Sequence, residues 1–144
     1  MRVVLDASVL VARFVPADEF HDDGLCVVRA GDKKEFTAIA PAILPAALAG
    51  AVARKTGDTN LADVALLHLG TYAGLTIRTA DTAFIEKAAR LAARHALRGA
   101  DAFYLAVAAE QKCPRITLDG ELLTRAPSSV KVLRPAEWLA TLRR

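Results

Sequence analysis

The runs Val3-Val4-Leu5 and Ile116-Thr117-Leu118 each end on an aspartate, Asp6 and Asp119, and the reading of these two segments decides the fold. Both are short, apolar and rich in β-branched residues, the composition of strands buried on both faces. The first predicts a strand over Arg2–Leu5. The second predicts one over Arg115–Leu118, introduced by Pro114. Three further segments read the same way: Thr37–Ala40, ended by Pro41, then Leu75–Arg78, then Lys131–Leu133. The intervals between them carry helical spacing and helix punctuation. They predict helices over Ser8–Phe14, Asp18–Ala30 with Gly31 as its stop, Ile43–Lys55 and Thr59–Leu69. A helix capped by Asp81 or Thr82 runs to about His95, and Ala100–Lys112 makes the next. A short turn over Glu121–Arg125 and a last helix from Pro135 through Trp138 to Leu142 complete the chain. Strands alternating with helices predict an α/β fold, a single domain over 1–144 with an open parallel sheet of about five strands and helices on both faces. Thirty alanines, about a fifth of the chain, suit helices packed closely on that sheet.

Composition excludes several classes. With 144 residues, 53% of them hydrophobic and 24% charged, the chain can bury a real core, and disorder is excluded. Two cysteines, Cys26 and Cys113, cannot form a disulfide framework and make no zinc motif; they are expected as reduced, buried thiols. The N-terminal apolar stretch is broken by Asp6 and is no signal peptide. The longest apolar run, Ala38 to Ala53, is interrupted by Pro41, Pro45 and Gly50, which argues against a membrane span. A cytoplasmic protein is the expectation. Charge is uneven: residues 1–77 carry 7 basic and 9 acidic side chains, residues 78–144 carry 12 and 7. The basic second half could attract a polyanion.

In an open parallel sheet, ligands bind beyond the carboxyl ends of the strands. Asp6 and Asp119 both fall there, and Asp101 joins them at the start of an apolar helix. Carboxylates gathered in one place repel unless something positive lies between them. A hard divalent cation, Mg2+ or Mn2+, is the expected partner for such oxygen ligands. Each acid also has a plainer reading as a helix cap or turn residue.

Beyond composition and spacing, three segments resemble the PIN-domain proteins. Val3-Val4-Leu5-Asp6-Ala7-Ser8-Val9-Leu10-Val11 is similar to their opening motif. The stretch from Arg98-Gly99-Ala100-Asp101 to Ala108 resembles their central motif, and Thr117-Leu118-Asp119-Gly120-Glu121-Leu122-Leu123 their third. Order, spacing and length match the VapC-like toxin branch over nearly the whole chain. The resemblance implies an endoribonuclease toxin that depends on Mg2+ or Mn2+, a homodimer, and a cognate antitoxin as partner. It implies that Asp6, Asp101 and Asp119 hold the metal and are the catalytic acids. Ser8 matches the hydroxyl residue beside the first acid, and Thr117 a polar position before the last; both would orient their neighbours. One position departs. Leu44 to Arg54 resembles the second motif, in which a glutamate stands seven residues before the arginine, and here that residue is Ala47. Losing this carboxylate lowers expected metal affinity and rate, so the chain reads as impaired or inactive. Ala47 is either an introduced inactivating change, which the otherwise intact acids favour, or the natural residue of a weakened member. A non-catalytic PIN-like module that binds RNA or an antitoxin is the alternative. An aspartyl phosphotransferase is disfavoured: position 8 is serine where a second acid would be needed.

Other residues are candidates by position. Lys87, Arg90, Arg94 and Arg98 follow steps of 3, 4 and 4 and would line one face of a helix continued that far, leading toward Asp101. Arg98 is the first candidate for gripping substrate phosphate and Arg54 the second; the plain reading of the rest is a solvated face. Glu121 is expected to face solvent. His95 could act as acid or base near neutrality, while His21 and His68 suggest no role. Phe103, Tyr104 and Trp138 read as core or interface. The acidic group Asp18, Glu19, Asp22 and Asp23 reads as a solvated helix face that an antitoxin could also meet.

Overall fold

A computed structural model describes all 144 residues. Its elements in chain order are β1 (Arg2–Leu5), α1 (Ala7–Phe14), α2 (His21–Asp32), β2 (Thr37–Pro41), α3 (Leu44–Thr56) and α4 (Thr59–Thr71). They continue with β3 (Leu75–Arg78), α5 (Thr82–His95), α6 (Gly99–Gln111), β4 (Arg115–Ile116), α7 (Gly120–Arg125), β5 (Val132–Leu133) and α8 (Pro135–Leu142). The five strands form one sheet in the order β3-β2-β1-β4-β5. Every pairing is parallel, with Val4 beside both Ile39 of β2 and Arg115 of β4. The chain lays down β1, β2 and β3 in one direction, then crosses back to put β4 on the other side of β1. That reversal between β1 and β4 opens a crevice beyond their carboxyl ends, the usual ligand position of an open α/β sheet.

The core follows from the apolar strand residues. Val3, Val4, Leu5, Ala40 and Ile116 have no measurable exposure, and α6 lies across β1, β2 and β4 with Leu105, Ala106 and Val107 sealed beneath it. Side chains of α1, including Val9 and Leu10, are buried in the same core, and α2 crosses α1 so closely that a Cβ on Gly24 would stand 2.8 Å from Val9 O and Arg13 N. Small residues set these close approaches, which is the structural use of the chain's alanines and glycines.

The fold class and the five strands are as the sequence predicts. Several boundaries differ for identifiable reasons. Gly31 does not stop α2, which begins later and continues to Asp32; Gly31 is there because the Tyr72 hydroxyl occupies the space a Cβ would need, 1.8 Å away. Asp18 and Glu19 lie ahead of the helix, with Asp18 accepting a hydrogen bond from the Phe20 amide at 2.9 Å. The second decisive strand is short, Arg115–Ile116, because Thr117 turns its hydroxyl to the backbone after it. Cys26 is exposed, against the expectation of two buried thiols, and Cys113 is partly covered. The basic stripe is also broken. Helix α5 ends at His95, and Ala96 adopts a left-handed conformation (φ 51°), so Arg98 belongs to the next helix as its cap residue.

Candidate active site

Asp6 sits where β1 ends and α1 begins. Its amide donates to Ile116 O of β4 at 3.1 Å, so the sheet itself fixes the residue. One side-chain oxygen, Oδ2, caps α1 by accepting from the Ser8 amide at 3.0 Å. Asp119 does the same for α7, accepting from the Glu121 amide at 2.9 Å. Asp101 lies in the first turn of α6. All three acids therefore stand at helix N-termini, where partial positive charge favours an anion. The plain reading as caps holds for Asp6 and Asp119, whereas Asp101 stands in the first turn of α6 behind the cap residue Arg98.

A chain of hydroxyl contacts ties the crevice together. Ser8 Oγ accepts from the Leu118 amide at 3.0 Å and lies 3.5 Å from Thr117 Oγ1. Thr117, fully buried, accepts in turn from the Asp119 amide at 3.1 Å. Ser8 and Thr117 thus tie the end of β4 to the start of α1 and hold the Asp119 backbone.

The residue that sequence reasoning missed is Arg115. It is an arginine in a central strand with no exposure at all. Its Nη2 donates to Asp6 Oδ1 and, at 3.3 Å, to Asp101 Oδ1; its Nη1 donates to the Asp101 carbonyl at 3.0 Å. The guanidinium carbon stands 4.8 Å from the centre of the buried Tyr104 ring, a cation–π arrangement in a dry setting. The signal was present in the sequence. Alternation along a strand puts Arg115 on the same face as Thr117, so an arginine two residues before an inward hydroxyl had to point toward the acids.

Electrostatics reflect this arrangement. Burial raises the Asp101 carboxyl above its ordinary range, Arg115 pulls it back, and Asp6 and Asp119 push it up again. Burial raises the Tyr104 hydroxyl well above its usual value, with the Asp6 charge adding to it. The sequence expectation of a positive group among the acids is met, but the group is a side chain of the protein.

The fit of a divalent ion fails on the same observations. Asp6 has one oxygen on Arg115 and the other on a helix cap, and Asp101 shares Arg115. Position 47 supplies no oxygen. No three His, Cys, Asp or Glu side chains are grouped so as to hold a metal ion.

Around the acids the surface divides. A cleft of about 390 Å³ is lined by Ser8, Leu118 and Asp119 together with Asp18, Glu19, Phe20 and Lys55. Lys55 is paired with Asp18 at 3.3 Å, and a backbone hydrogen bond from Phe20, with help from Lys55, lowers the Asp18 carboxyl below its ordinary range. A smaller recess brings Arg98 and Asp101 together with Glu121 and Arg125. Glu121 is exposed and pairs with Arg125 at 3.5 Å. Arg98 and Arg54 are exposed, as are Lys87, Arg90 and Arg94. His21 bonds to Ala12 O at 2.8 Å, and His68 packs between Phe14 and Tyr72, so neither is free for chemistry. Tyr104 and Trp138 are buried and Phe103 packs on Phe84, as expected.

The fold has counterparts among solved structures. The VapC20 toxin of Mycobacterium tuberculosis, described as cleaving the sarcin-ricin loop, has a TM-score of 0.72 at 17% identity, covering 90% of this chain and 98% of that one. VapBC2 from Rickettsia felis, bound to a promoter DNA fragment, has a TM-score of 0.69 at 12% identity, with coverage of 93% and 98%. A toxin–antitoxin complex from Klebsiella pneumoniae has a TM-score of 0.62 at 17% identity, with coverage of 92% and 97%. At these identities the likeness is one of fold. No curated protein sequence matches the chain. The family model named PIN domain matches residues 3–127, which takes in Asp6, Asp101, Asp119 and the strand order that gathers them. This chain belongs to the PIN domain family.

Proposed function

We propose that this chain is a toxin-type PIN protein of a toxin–antitoxin pair, on the framework of the Mg2+- or Mn2+-dependent endoribonucleases, with RNA cleavage impaired as the chain stands. The observation that supports the reading is the gathering of Asp6, Asp101 and Asp119 at the switch point between β1 and β4, with Arg115 between the first two. Phosphodiester hydrolysis needs an activated water and neutralisation of charge at phosphorus. Two of the acids that would organise this, Asp6 and Asp101, are committed to Arg115, so the reaction is expected to be impaired. Arg98, beside Asp101, and Arg54 would hold substrate phosphates through salt-sensitive contacts. A cytoplasmic location and a homodimer belong to the same reading. The exposed Val64 and Leu67 of α4 and Ile85 of α5 offer apolar surface for a second copy. No helix is long and apolar enough to cross a membrane.

One observation favours a second reading, a non-catalytic module that binds an antitoxin or RNA. The cleft next to Asp119 is lined by Asp18, Glu19 and Asp119 against the single base Lys55. Such a lining repels phosphate and suits a cationic side chain from a partner protein. Arg115 holds Asp6 and Asp101 whatever the origin of Ala47.

Cleavage of a labelled structured RNA in Mg2+ or Mn2+, compared among the unaltered chain, Ala47→Glu and Ala47→Glu with Arg115→Met, tests the reading. The expected result is little or no cleavage by the unaltered chain and a clear gain in the double variant. No cleavage by any of the three, with tight RNA or antitoxin binding retained, would leave the second reading. Fast metal-dependent cleavage by the unaltered chain would contradict the impairment.

A further inference from the structure

A carboxylate pair at a PIN switch point needs a cation, and the structure shows which one this chain supplies. Nη2 of Arg115 is the one atom within reach of both Asp6 Oδ1 and Asp101 Oδ1. An ion shared by those oxygens would have to stand between them, at roughly 2.0–2.1 Å from each for Mg2+. That position is filled. The filling is also one that does not come out easily. Arg115 is completely buried, is held by a second nitrogen on the Asp101 carbonyl, and lies over the Tyr104 ring. Its Nε has no hydrogen-bond partner, a cost the fold bears while Nη2 meets the two carboxylates and Nη1 the Asp101 carbonyl. The Arg115 guanidinium also offsets one of the negative charges that Asp6, Asp101 and Asp119 bring together, and Ala47 adds none.

We propose that the Arg115 guanidinium is a resident cation standing in the place of the divalent metal, so that this pocket is complete without Mg2+ or Mn2+ and excludes them. Arg115 acts on Asp6 and Asp101 and is a positioning residue, out of reach of any substrate. The inference rests on reading this pocket as the PIN site, but its test contains no RNA, so failure of metal exclusion and failure of the ribonuclease reading are separately visible.

The test is a Mn2+ titration followed by electron paramagnetic resonance, with thermal unfolding in EDTA and in Mn2+ as a second readout. The unaltered chain is expected to bind no Mn2+ at this pocket up to about 1 mM and to keep the same Tm with and without it. Arg115→Met is expected to bind one Mn2+ at least about tenfold more tightly and to gain Tm on its addition. Ala47→Glu with Arg115→Met should bind more tightly again. If Arg115→Met is unfolded in EDTA, folding on addition of Mn2+, read by circular dichroism, is the expected form of the same gain. Stoichiometric Mn2+ binding by the unaltered chain that is lost in Asp101→Asn overturns the proposal. So does an Arg115→Met variant that shows no response to Mn2+ in either readout.

Discussion

Two arginines in this molecule each hold acidic partners, and the fold treats them in opposite ways. Arg115 is sealed under α6 between Asp6 and Asp101. Arg78, at the end of the edge strand β3, grips Glu110 with two nitrogens at 2.9 and 3.0 Å while both side chains remain partly in water. By hydrogen-bond geometry Arg78 has the better pair. Burial decides which one matters. Water and salt can replace the partner of Arg78 at little cost, whereas nothing replaces Arg115 once two carboxylates have been taken out of water with it. A buried ion group of this kind is weak evidence of net stabilisation, yet breaking it is costly.

The largest effect should follow from cutting that group on one side. Arg115→Met in metal-free buffer strands two acids and is expected to cost about 3–5 kcal/mol of unfolding free energy, measured by urea denaturation. If the loss were no greater than that of Arg78→Ala, the contrast between the two arginines would fail. Asp6→Asn comes next. It keeps an oxygen to cap α1 but removes a charge that faces Arg115, and about 2–4 kcal/mol is expected from the lost charge-assisted bond and the poorly compensated guanidinium. Asp6→Asn paired with Arg115→Met should then cost less than the two single losses added together, because neither charge is left alone. Additive losses would show that the two residues do not depend on one another.

A purely steric change sharpens the comparison from outside it. Gly31→Ala drives a methyl into the Tyr72 hydroxyl and is expected to cost about 1–3 kcal/mol by overpacking, with no change in response to Mn2+. The smallest effect belongs to Arg78. The Glu110 carboxyl is held below its ordinary range by its bond to Arg78. A carboxyl lowered in the folded state contributes stability above its unfolded pKa and loses it as pH falls through the folded value. The unaltered chain should therefore lead Arg78→Ala slightly near neutral pH, and the lead should vanish on acidification below the ordinary glutamate range. A lead that grew on acidification would reverse the sign assigned to this pair.

Much of this was legible in the sequence. The buried strands announce themselves by β-branched runs, and the acids at their ends are located by the rule that places ligands at strand carboxyl termini. Asp81 and Asp119 read as caps because their side chains satisfy helix amides, and they do. The errors arise where three-dimensional packing overrides a local signal. Gly31 looks like a stop but is a place for Tyr72, and the steps of 3 and 4 from Lys87 continue to Arg98 on paper while Ala96 breaks the helix in space. Arg115 is the instructive case. A charged residue at the start of a strand reads as solvated, and only its parity with Thr117, combined with the parallel pairing of β4 against β1, turns it inward.

The most direct measurement is paramagnetic broadening by Mn2+ in the amide spectrum of the unaltered chain. With Arg115 as the resident cation, the Asp6, Ser8, Asp101 and Asp119 amides should stay as sharp as those of the distant β3 strand when Mn2+ is added. Selective loss of those four signals at stoichiometric Mn2+ would show an ion in the pocket and contradict the account.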